Sequence, residues 1–148
     1  MLKKISLLLL VLVAMTLTAC DSKGTTEATI GYPQKYGIVD VVAGEETKTG
    51  VVLTLETDGF GGTVKVEVTI VGGKITDFDV LEHTESSGWG KAVIDNGTLA
   101  QALIDETDDL DSLDVHEYLD SEASATVTAE ALLDIAKAAL EHYADSYE

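Results

Sequence analysis

A hydroxyl-bearing segment that precedes the last predicted helix is the part of the chain best suited to hold a phosphate. It reads Asp-Ser-Glu-Ala-Ser-Ala-Thr-Val-Thr from Asp120 to Thr128. Thr126 lies where a helix start leaves backbone N–H groups unpaired and presents its positive dipole end, and both favour a phosphate. Because the chain has no arginine, backbone amides are the main phosphate donors. The alternative is that Thr126 and Thr128 simply cap the helix.

The helix behind this segment is predicted from about Ala129 to Tyr143, with Thr128 as its N-cap. Spacings of four, three, one and three residues place one apolar stripe on it. The stripe consists of Leu132, Ala136, Ala139, Leu140 and Tyr143. The opposite, polar side consists of Glu130, Asp134, Lys137 and Glu141. An earlier helical pattern covers Lys91–Asp105 and is interrupted at Asn96-Gly97.

Alternating residues earlier in the chain predict antiparallel strands. Thr63–Val71 alternates strictly between β-branched and polar residues, which indicates a half-buried strand. Gly72-Gly73 predicts a two-residue hairpin turn with positive φ at both positions, and Lys74–Glu82 is the returning strand. Val51–Thr57 also alternates, and Gly37–Ala43 is a further candidate strand. Strands followed by helices predict an α+β domain, an antiparallel sheet with helices packed on one face.

The acidic segment Glu106–Asp120 has two interpretations, a calcium-binding loop and a solvated loop. It lacks the central glycine and the terminal bidentate glutamate of an EF-hand, so the solvated loop is favoured. The three histidines, His83, His116 and His142, do not fall at metal-ligand intervals. With a single cysteine, a redox role requires an organic cofactor. No metal site is predicted.

The first residues have the pattern of an export signal. Lys3 and Lys4 precede the apolar run Ile5–Met15, which is too short for an uncleaved membrane-crossing helix, the alternative interpretation. The ending Leu17–Cys20 resembles a lipobox, which implies cleavage before Cys20 and a lipid on its sulfur. We therefore expect a signal peptide at 1–19, a lipidated N-terminus and flexible tether at 20–31, and a folded domain at 32–148, anchored on the extracytoplasmic face of the cell membrane.

The charge of the chain restricts its partners. The formal charge is −18 at pH 7, and removal of Lys3 and Lys4 with the leader leaves seven lysines against 27 acidic residues, or −20. Such a surface repels nucleic acid, which is excluded as a partner, and attracts basic patches on other proteins.

Two segments, taken together and in this order, resemble the FMN-binding domain family. His83–Gly90 reads His-Thr-Glu-Ser-Ser-Gly-Trp-Gly and is similar to the family's His-x-Glu-Thr-Pro-Gly-like loop. Asp120–Thr128 is similar to the flavin-acceptor motif Asp-x-x-Ser/Thr-Gly-Ala-Thr followed by x-Thr, with Ala123 and Ser124 replacing the serine and the glycine. The likeness extends over roughly 61–140. The family includes flavin-carrying subunits of Rnf and sodium-pumping NADH:quinone reductase complexes and extracellular electron-transfer lipoproteins.

The resemblance implies a covalent cofactor. In that family a flavin transferase moves FMN from FAD onto the motif threonine as a phosphoester, so Thr126 is the implied acceptor. The loop glycines would let the backbone approach the flavin, and Glu85 would accept a hydrogen bond from a ring N–H. The implied cofactor-binding residues are Asp120, Ser124, Ala125, Thr126 and Thr128 in the acceptor motif, and Glu85, Ser86, Gly88 and Gly90 in the facing loop.

The expected function is that of a membrane-anchored flavoprotein that acts as an electron-transfer module. Its partners would be a flavin transferase and redox donor and acceptor proteins, or a quinone-linked dehydrogenase. The first alternative is an accessory surface lipoprotein whose altered motif binds flavin weakly or not at all. The second is a small FMN-dependent reductase, but the sequence indicates neither a general acid or base nor a substrate pocket for it. An electron carrier is favoured over an enzyme with its own substrate.

Overall fold

The structure is a computed structural model that describes residues 29–35, 37–85, 88–119 and 123–148, with the backbone alone for Trp89, Ala123 and Ser124. The strands are β1 (Ile30–Pro33), β2 (Ile38–Glu46), β3 (Val51–Asp58), β4 (Thr63–Val71) and β5 (Lys74–His83). The helices are α1 (Trp89–Asn96), α2 (Thr98–Asp105), a short 3-10 helix (Val115–Tyr118) and α3 (Ala123–Tyr147). The predicted signal peptide and Cys20 lie outside the described residues.

The five strands form one antiparallel sheet in the order β1-β2-β3-β4-β5, which confirms the predicted α+β class. The central strand β4 has the bounds that its alternation predicted. Its inward side chains, Val64, Val66, Val68 and Ile70, are fully buried beneath the helices. Each of them contributes roughly 1.5–3 kcal/mol to the free energy of unfolding through burial.

The hairpin between β4 and β5 confirms the predicted turn. Gly72 has a φ of +58° and Gly73 a φ of +78°, both in the left-handed region that a side chain disfavours. The two-residue connection also fixes the register, so that Val71 pairs with Lys74 directly beside the turn.

Strand β5 carries two extra residues relative to β4, at Thr76 and Leu81, where the pairing register shifts. A bulge of this kind changes which side chains face the core. After the second bulge, His83 pairs with the inward-facing Val64. Glu85 lies two residues further on, on the same side, and is therefore buried. The bulge at Leu81 decides the direction of the loop that follows β5.

Helices α1 and α2 result from the predicted interruption at Asn96-Gly97. Gly97 adopts a φ of +69° and donates its N–H to the carbonyl oxygen of Ile94 at 3.2 Å, which ends α1. Helix α1 begins at Trp89, two residues before the predicted start. Leu99 and Leu103 of α2 are buried and anchor this helix against β5.

Helix α3 is longer than predicted, and three expectations about it are wrong. It begins at Ala123 instead of Ala129, so Thr126 lies inside the helix and Thr128 is not the N-cap. The buried stripe extends backwards through Ala125, and the segment contains no proline or glycine that would stop the helix. Asp134, expected on a solvated face, is buried because the 3-10 helix packs against a second side of α3.

The start of the domain and the acidic segment complete the fold. Strand β1 begins at Ile30, two residues before the predicted boundary at 32. The described part of the acidic segment, 106–119, forms turns and the 3-10 helix. Among the described residues, no group of three or more histidine, cysteine or acidic side chains could hold a metal ion. Within the same ranges, no helix is both long and apolar enough to cross a bilayer.

Candidate functional site

Thr126 is the fourth residue of α3 and its side chain is half-buried. The first amides of a helix lack acceptors one turn back, and they carry the positive end of the dipole. Helical side chains lean toward the N-terminus, which directs a side chain at this position toward those amides. The predicted setting of Thr126, a hydroxyl beside a helix start, is therefore present although the residue lies within the helix.

Two residues of the acceptor motif close to Thr126 are buried. Ala125 is 3% exposed and Thr128 is fully buried. The Thr128 hydroxyl has no hydrogen-bond partner among the residues that the structure describes. A buried polar group without a partner costs about 1–3 kcal/mol, so its presence requires an explanation.

Glu85 is a buried carboxylate at the loop after β5, with 7% of its surface exposed. Its Oε2 accepts a hydrogen bond from the backbone N–H of Gly61 at 3.1 Å. Its Oε1 is buried and has no partner within the described ranges. The loop after β5 is thereby joined to the glycine-rich turn between β3 and β4, and one carboxylate oxygen remains unsatisfied.

Three glycines surround this carboxylate and leave room for it. A Cβ added to Gly59 would lie 2.3 Å from Glu85 Oε1, and one added to Gly61 would lie 2.8 Å from Glu85 Cα. A Cβ added to Gly90 would lie 2.5 Å from Glu85 Oε2 and 2.7 Å from Thr128 Oγ1. Glycine at these positions is therefore required by the packing of Glu85. The prediction that Gly90 admits a flavin is untested.

Gly88 differs from the other loop glycines. It precedes α1 as its N-cap residue, is exposed, and a Cβ added there would meet no atom within 4 Å. The packing of the described residues does not require glycine at this position. Open space in front of exposed backbone at a helix start is what a bound ligand needs.

Several predicted site residues receive no structural test. Asp120, Ser86 and Cys20 lie outside the described residues, and for Ser124 only the backbone, within the first turn of α3, is described. Their predicted roles remain predictions.

Two exposed apolar residues beside the site were not predicted. Phe60 lies in the turn that Glu85 holds, with 61% of its surface exposed, and Val127 follows Thr126 with 40% exposed. Phe60 stands among turn residues in Asp58–Gly62, which indicates a side chain that cannot reach the core. An exposed phenyl ring can stack on a flat aromatic ligand.

A cleft of about 520 Å³ opens on the sheet face away from the helices. It is lined by Glu56, Thr63, Lys65, Leu81, Glu82, His83 and Thr84. Lys65 forms an ion pair with Glu56 at 3.4 Å in its wall. Thr126 does not line this cleft.

The arrangement around Thr126 fits a ligand that combines a phosphate with a flat aromatic group. The first turn of α3 offers backbone amides and a partly accessible hydroxyl for the phosphate. Phe60, in the turn that is hydrogen bonded to Glu85, and Val127, the residue after Thr126, offer exposed apolar surface. FMN has both chemical parts, so the residues present fit this cofactor.

Comparison with known proteins supports this cofactor. A family model described as FMN-binding domain matches residues 59–141, which is more than half of the chain and includes both Glu85 and Thr126. Comparisons with curated proteins and with solved structures gave no significant match. The match confirms the resemblance seen in the sequence and agrees with the geometry of the site. The chain belongs to the FMN-binding domain family.

Proposed function

We propose that the protein is a membrane-anchored flavoprotein that carries FMN on Thr126 and transfers electrons between proteins outside the cytoplasm. One observation carries the proposal: in a chain of this family, a partly accessible threonine lies in the first turn of a long helix. The positive helix end and the free amides there favour the phosphate of FMN. FMN, when bound, supplies the capacity to accept and release electrons.

The proposed attachment is a phosphoryl transfer whose products balance. The Thr126 Oγ1 forms a bond to the FMN phosphorus of FAD, and the bond between the two phosphates of FAD breaks. AMP leaves, and the hydroxyl proton of Thr126 is released. A flavin transferase supplies the catalysis, so Thr126 needs accessibility and orientation but no catalytic base of this chain.

Covalent attachment suits a protein at the cell surface. A flavin held with a nanomolar dissociation constant is bound by only about 12 kcal/mol, and once released outside the cell it is diluted. An ester bond prevents this loss. The lipidated Cys20 and the flavin-carrying Thr126 therefore form a consistent pair of modifications in this proposal.

The charge of the mature chain, −20, determines which electron partners can dock. Basic patches on donor or acceptor proteins are attracted over a distance of about 8 Å at physiological ionic strength. Charge complementarity accelerates encounter more than it strengthens the final complex. We propose partners with a basic docking surface, and we expect the transfer rate to fall as salt is added.

The test of attachment is a change of mass that survives denaturation. Coexpressed with a flavin transferase and supplied with FAD, the mature domain should gain the mass of one FMN less one water. Thr126→Val should abolish this gain because it removes the hydroxyl and keeps the shape. Thr98→Val is the matched control, since Thr98 is a threonine in the first turn of α2, and it should load fully.

Each other outcome has a defined meaning. Flavin that leaves the unmutated protein on denaturation would show binding without a bond. A colourless protein would refute the flavin function and favour the accessory lipoprotein. Loading of Thr126→Val at the normal level would place the ester on another residue.

The anchor is tested separately by Cys20→Ser. This variant should lose lipid labelling and appear in the soluble fraction, because one lipid-bearing residue holds the protein on the membrane in this proposal. Complete membrane retention of the variant would contradict the proposed lipidation of Cys20.

A further inference from the structure

We propose that the outward face of the sheet is the docking surface for a partner protein that presents lysine and arginine side chains. A basic partner is required by the function proposed above, on which this inference rests in that respect. The surface, called the acidic sheet face below, consists of the outward side chains Asp40, Glu56, Lys65, Glu67, Asp77, Asp79 and Glu82.

The acidic sheet face is open to solvent. The helices pack on the opposite face, where Val64, Val66 and Val68 are fully buried. The residues that alternate with these valines are half-buried or exposed. An antiparallel sheet commonly has one solvated face, so polar residues are expected here. The fold does not dictate that six of the seven charges have the same sign.

Charges of the same sign oppose one another across neighbouring strands of this face. Glu67 of β4 pairs directly with Asp79 of β5. Asp40 of β2 pairs directly with Glu56 of β3. Opposite side chains have Cβ atoms about 5 Å apart, and like charges there are destabilising. Lys65 neutralises Glu56 through their ion pair, but among the residues that the structure describes neither carboxylate of the first pair has such a partner. A cationic partner would relieve the repulsion.

The cleft of about 520 Å³ on this face suits a long basic side chain. Glu56 and Glu82 line it with carboxylates, and Leu81 lines it with 49% of its surface exposed. A lysine or arginine side chain combines an apolar stem with a charged end. The stem can therefore lie on Leu81 while the charged end meets Glu82, since Glu56 is already paired with Lys65.

The acidic segment after α2 suits a basic partner less well. Asp108 in this segment is paired with Lys74. Asp111 is paired with Lys137. The segment forms turns and a short 3-10 helix, whereas strands hold their side chains at fixed spacings. Fixed charges that have no cation of their own favour the acidic sheet face.

The cleft lies beside the loop that contains Glu85. Thr84 lines the cleft, and its hydroxyl donates a hydrogen bond to the carbonyl oxygen of Gly61 at 3.1 Å. The N–H of Gly61 donates to Glu85, which lies beside Thr128 of α3. A partner in the cleft is thereby brought close to a cofactor on Thr126, as electron transfer between two proteins requires.

The first test measures binding by the flavin-free mature protein at low salt, with reduced cytochrome c, a small basic haem protein, as the probe. Glu67→Gln removes one charge of the opposed pair and keeps the shape. Its dissociation constant should rise about threefold, the size expected for one exposed charge pair. Its melting temperature should rise by about 2 °C, because the repulsion with Asp79 is lost. Weaker binding together with higher stability would support the docking surface, and unchanged binding would refute it.

The matched control is Glu117→Gln. Glu117 is an exposed glutamate of the 3-10 helix, so the net charge changes by the same amount. Its dissociation constant should stay within about 1.5-fold of the wild-type value, because screening limits the reach of an exposed charge. Equal weakening by both variants would show that only net charge attracts the probe, and would overturn the proposal.

Nuclear magnetic resonance locates the bound probe. Amide shifts caused by cytochrome c should be largest in β4 and β5, and shifts confined to residues 106–119 would contradict the proposal. The same β4 and β5 shifts on concentrating the protein without the probe would assign the face to a second copy of the chain, which would also overturn it.

The second test uses the flavin-loaded protein after reduction. One electron passes from the cofactor to each ferric haem of oxidised cytochrome c, and the haem absorbance reports the rate. Glu67→Gln should lower the second-order rate constant about threefold at low salt, and Glu117→Gln should leave it unchanged. Equal rates for the wild type and both variants would refute docking on this face. If the wild type takes up no flavin, the proposed function fails, and the binding experiment still decides whether the acidic sheet face docks a basic protein.

Discussion

The two ends of α3 both bury polar groups, but the groups are hydrogen bonded differently. Near its C-terminal end, the Tyr32 hydroxyl lies 2.8 Å from His142 Nδ1 and 3.4 Å from Asp145 Oδ2. The His142 ring also makes edge contacts with Tyr32 and Tyr147. At the N-terminal end, Glu85 Oε1 and the Thr128 hydroxyl have no partner within the described ranges.

We propose that this difference separates a structural cluster at the C-terminal end from a functional one at the N-terminal end. Buried polar groups are usually satisfied, and those that are not indicate strain or a functional site. The family match also treats the two ends differently. It covers Glu85 and Thr128, and it ends at residue 141, before His142. Tyr32 also lies outside the match. We interpret the C-terminal cluster as a means of attaching β1 to α3 in this chain.

The largest expected effect concerns Gly90. Gly90→Ala places a Cβ 2.5 Å from Glu85 Oε2 and 2.7 Å from Thr128 Oγ1, so the cluster must move. We expect the free energy of unfolding to fall by about 1–3 kcal/mol, net of the better helix propensity of alanine. Chemical denaturation measures this change, and the loading of Thr126 should slow in parallel.

Gly88→Ala is the matched control for Gly90→Ala. A Cβ on Gly88 meets no atom within 4 Å, so the free energy of unfolding should change by less than about 1 kcal/mol. If the two variants were equally destabilised, the steric contact with Glu85 would not be the reason for glycine in this loop.

A smaller effect is expected at the other end of α3. Tyr32→Phe removes the hydroxyl that lies 2.8 Å from His142 Nδ1, and it should lower the free energy of unfolding by about 1 kcal/mol. Flavin loading should be unchanged, because the cluster lies roughly 24 Å along the helix from Thr126. A loading defect in this variant would contradict the separation of the two ends.

The smallest expected effect is an alkaline loss of stability due to Tyr32. Burial, followed by the nearby Asp145 carboxylate, raises the pKa of Tyr32 above its usual value. A raised pKa in the folded state means that the stabilisation is complete below about pH 10 and is lost as the pH rises through the folded pKa. Stability curves between about pH 9 and pH 11 should be flatter for Tyr32→Phe, and identical curves for both proteins would exclude this contribution.

Local patterns predicted the sheet well. The alternation of Thr63–Val71 and the pair Gly72-Gly73 predict β4 and its turn with the observed bounds, because period two and positive φ are local requirements. The break between α1 and α2 was also predicted locally, because Gly97 adopts a positive φ that ends α1. The two bulges of β5 were not predicted. A bulge is an extra residue relative to the partner strand, so it appears only once the pairing of the two strands is known.

The sequence identified the residues of the candidate site better than their arrangement in space. The motif identified Thr126 and Glu85, but the helix start was placed six residues late. Helix propensity alone does not decide that boundary, and the burial of Ala125 against the rest of the domain does. Phe60 was missed because exposure of an aromatic residue depends on what surrounds it.

The sequence by itself determined the strand periodicity, the glycine turns, the acidic charge and the acceptor motif, since each depends on neighbouring residues or on composition. Only the tertiary structure decided where Glu85 points and which groups it meets. The bulge at Leu81 turns Glu85 inward, and the packing of α1 against α3 brings Gly90 and Thr128 beside it. Residues 61, 85 and 128 are distant in the chain, so no local pattern can indicate that they lie around one buried carboxylate.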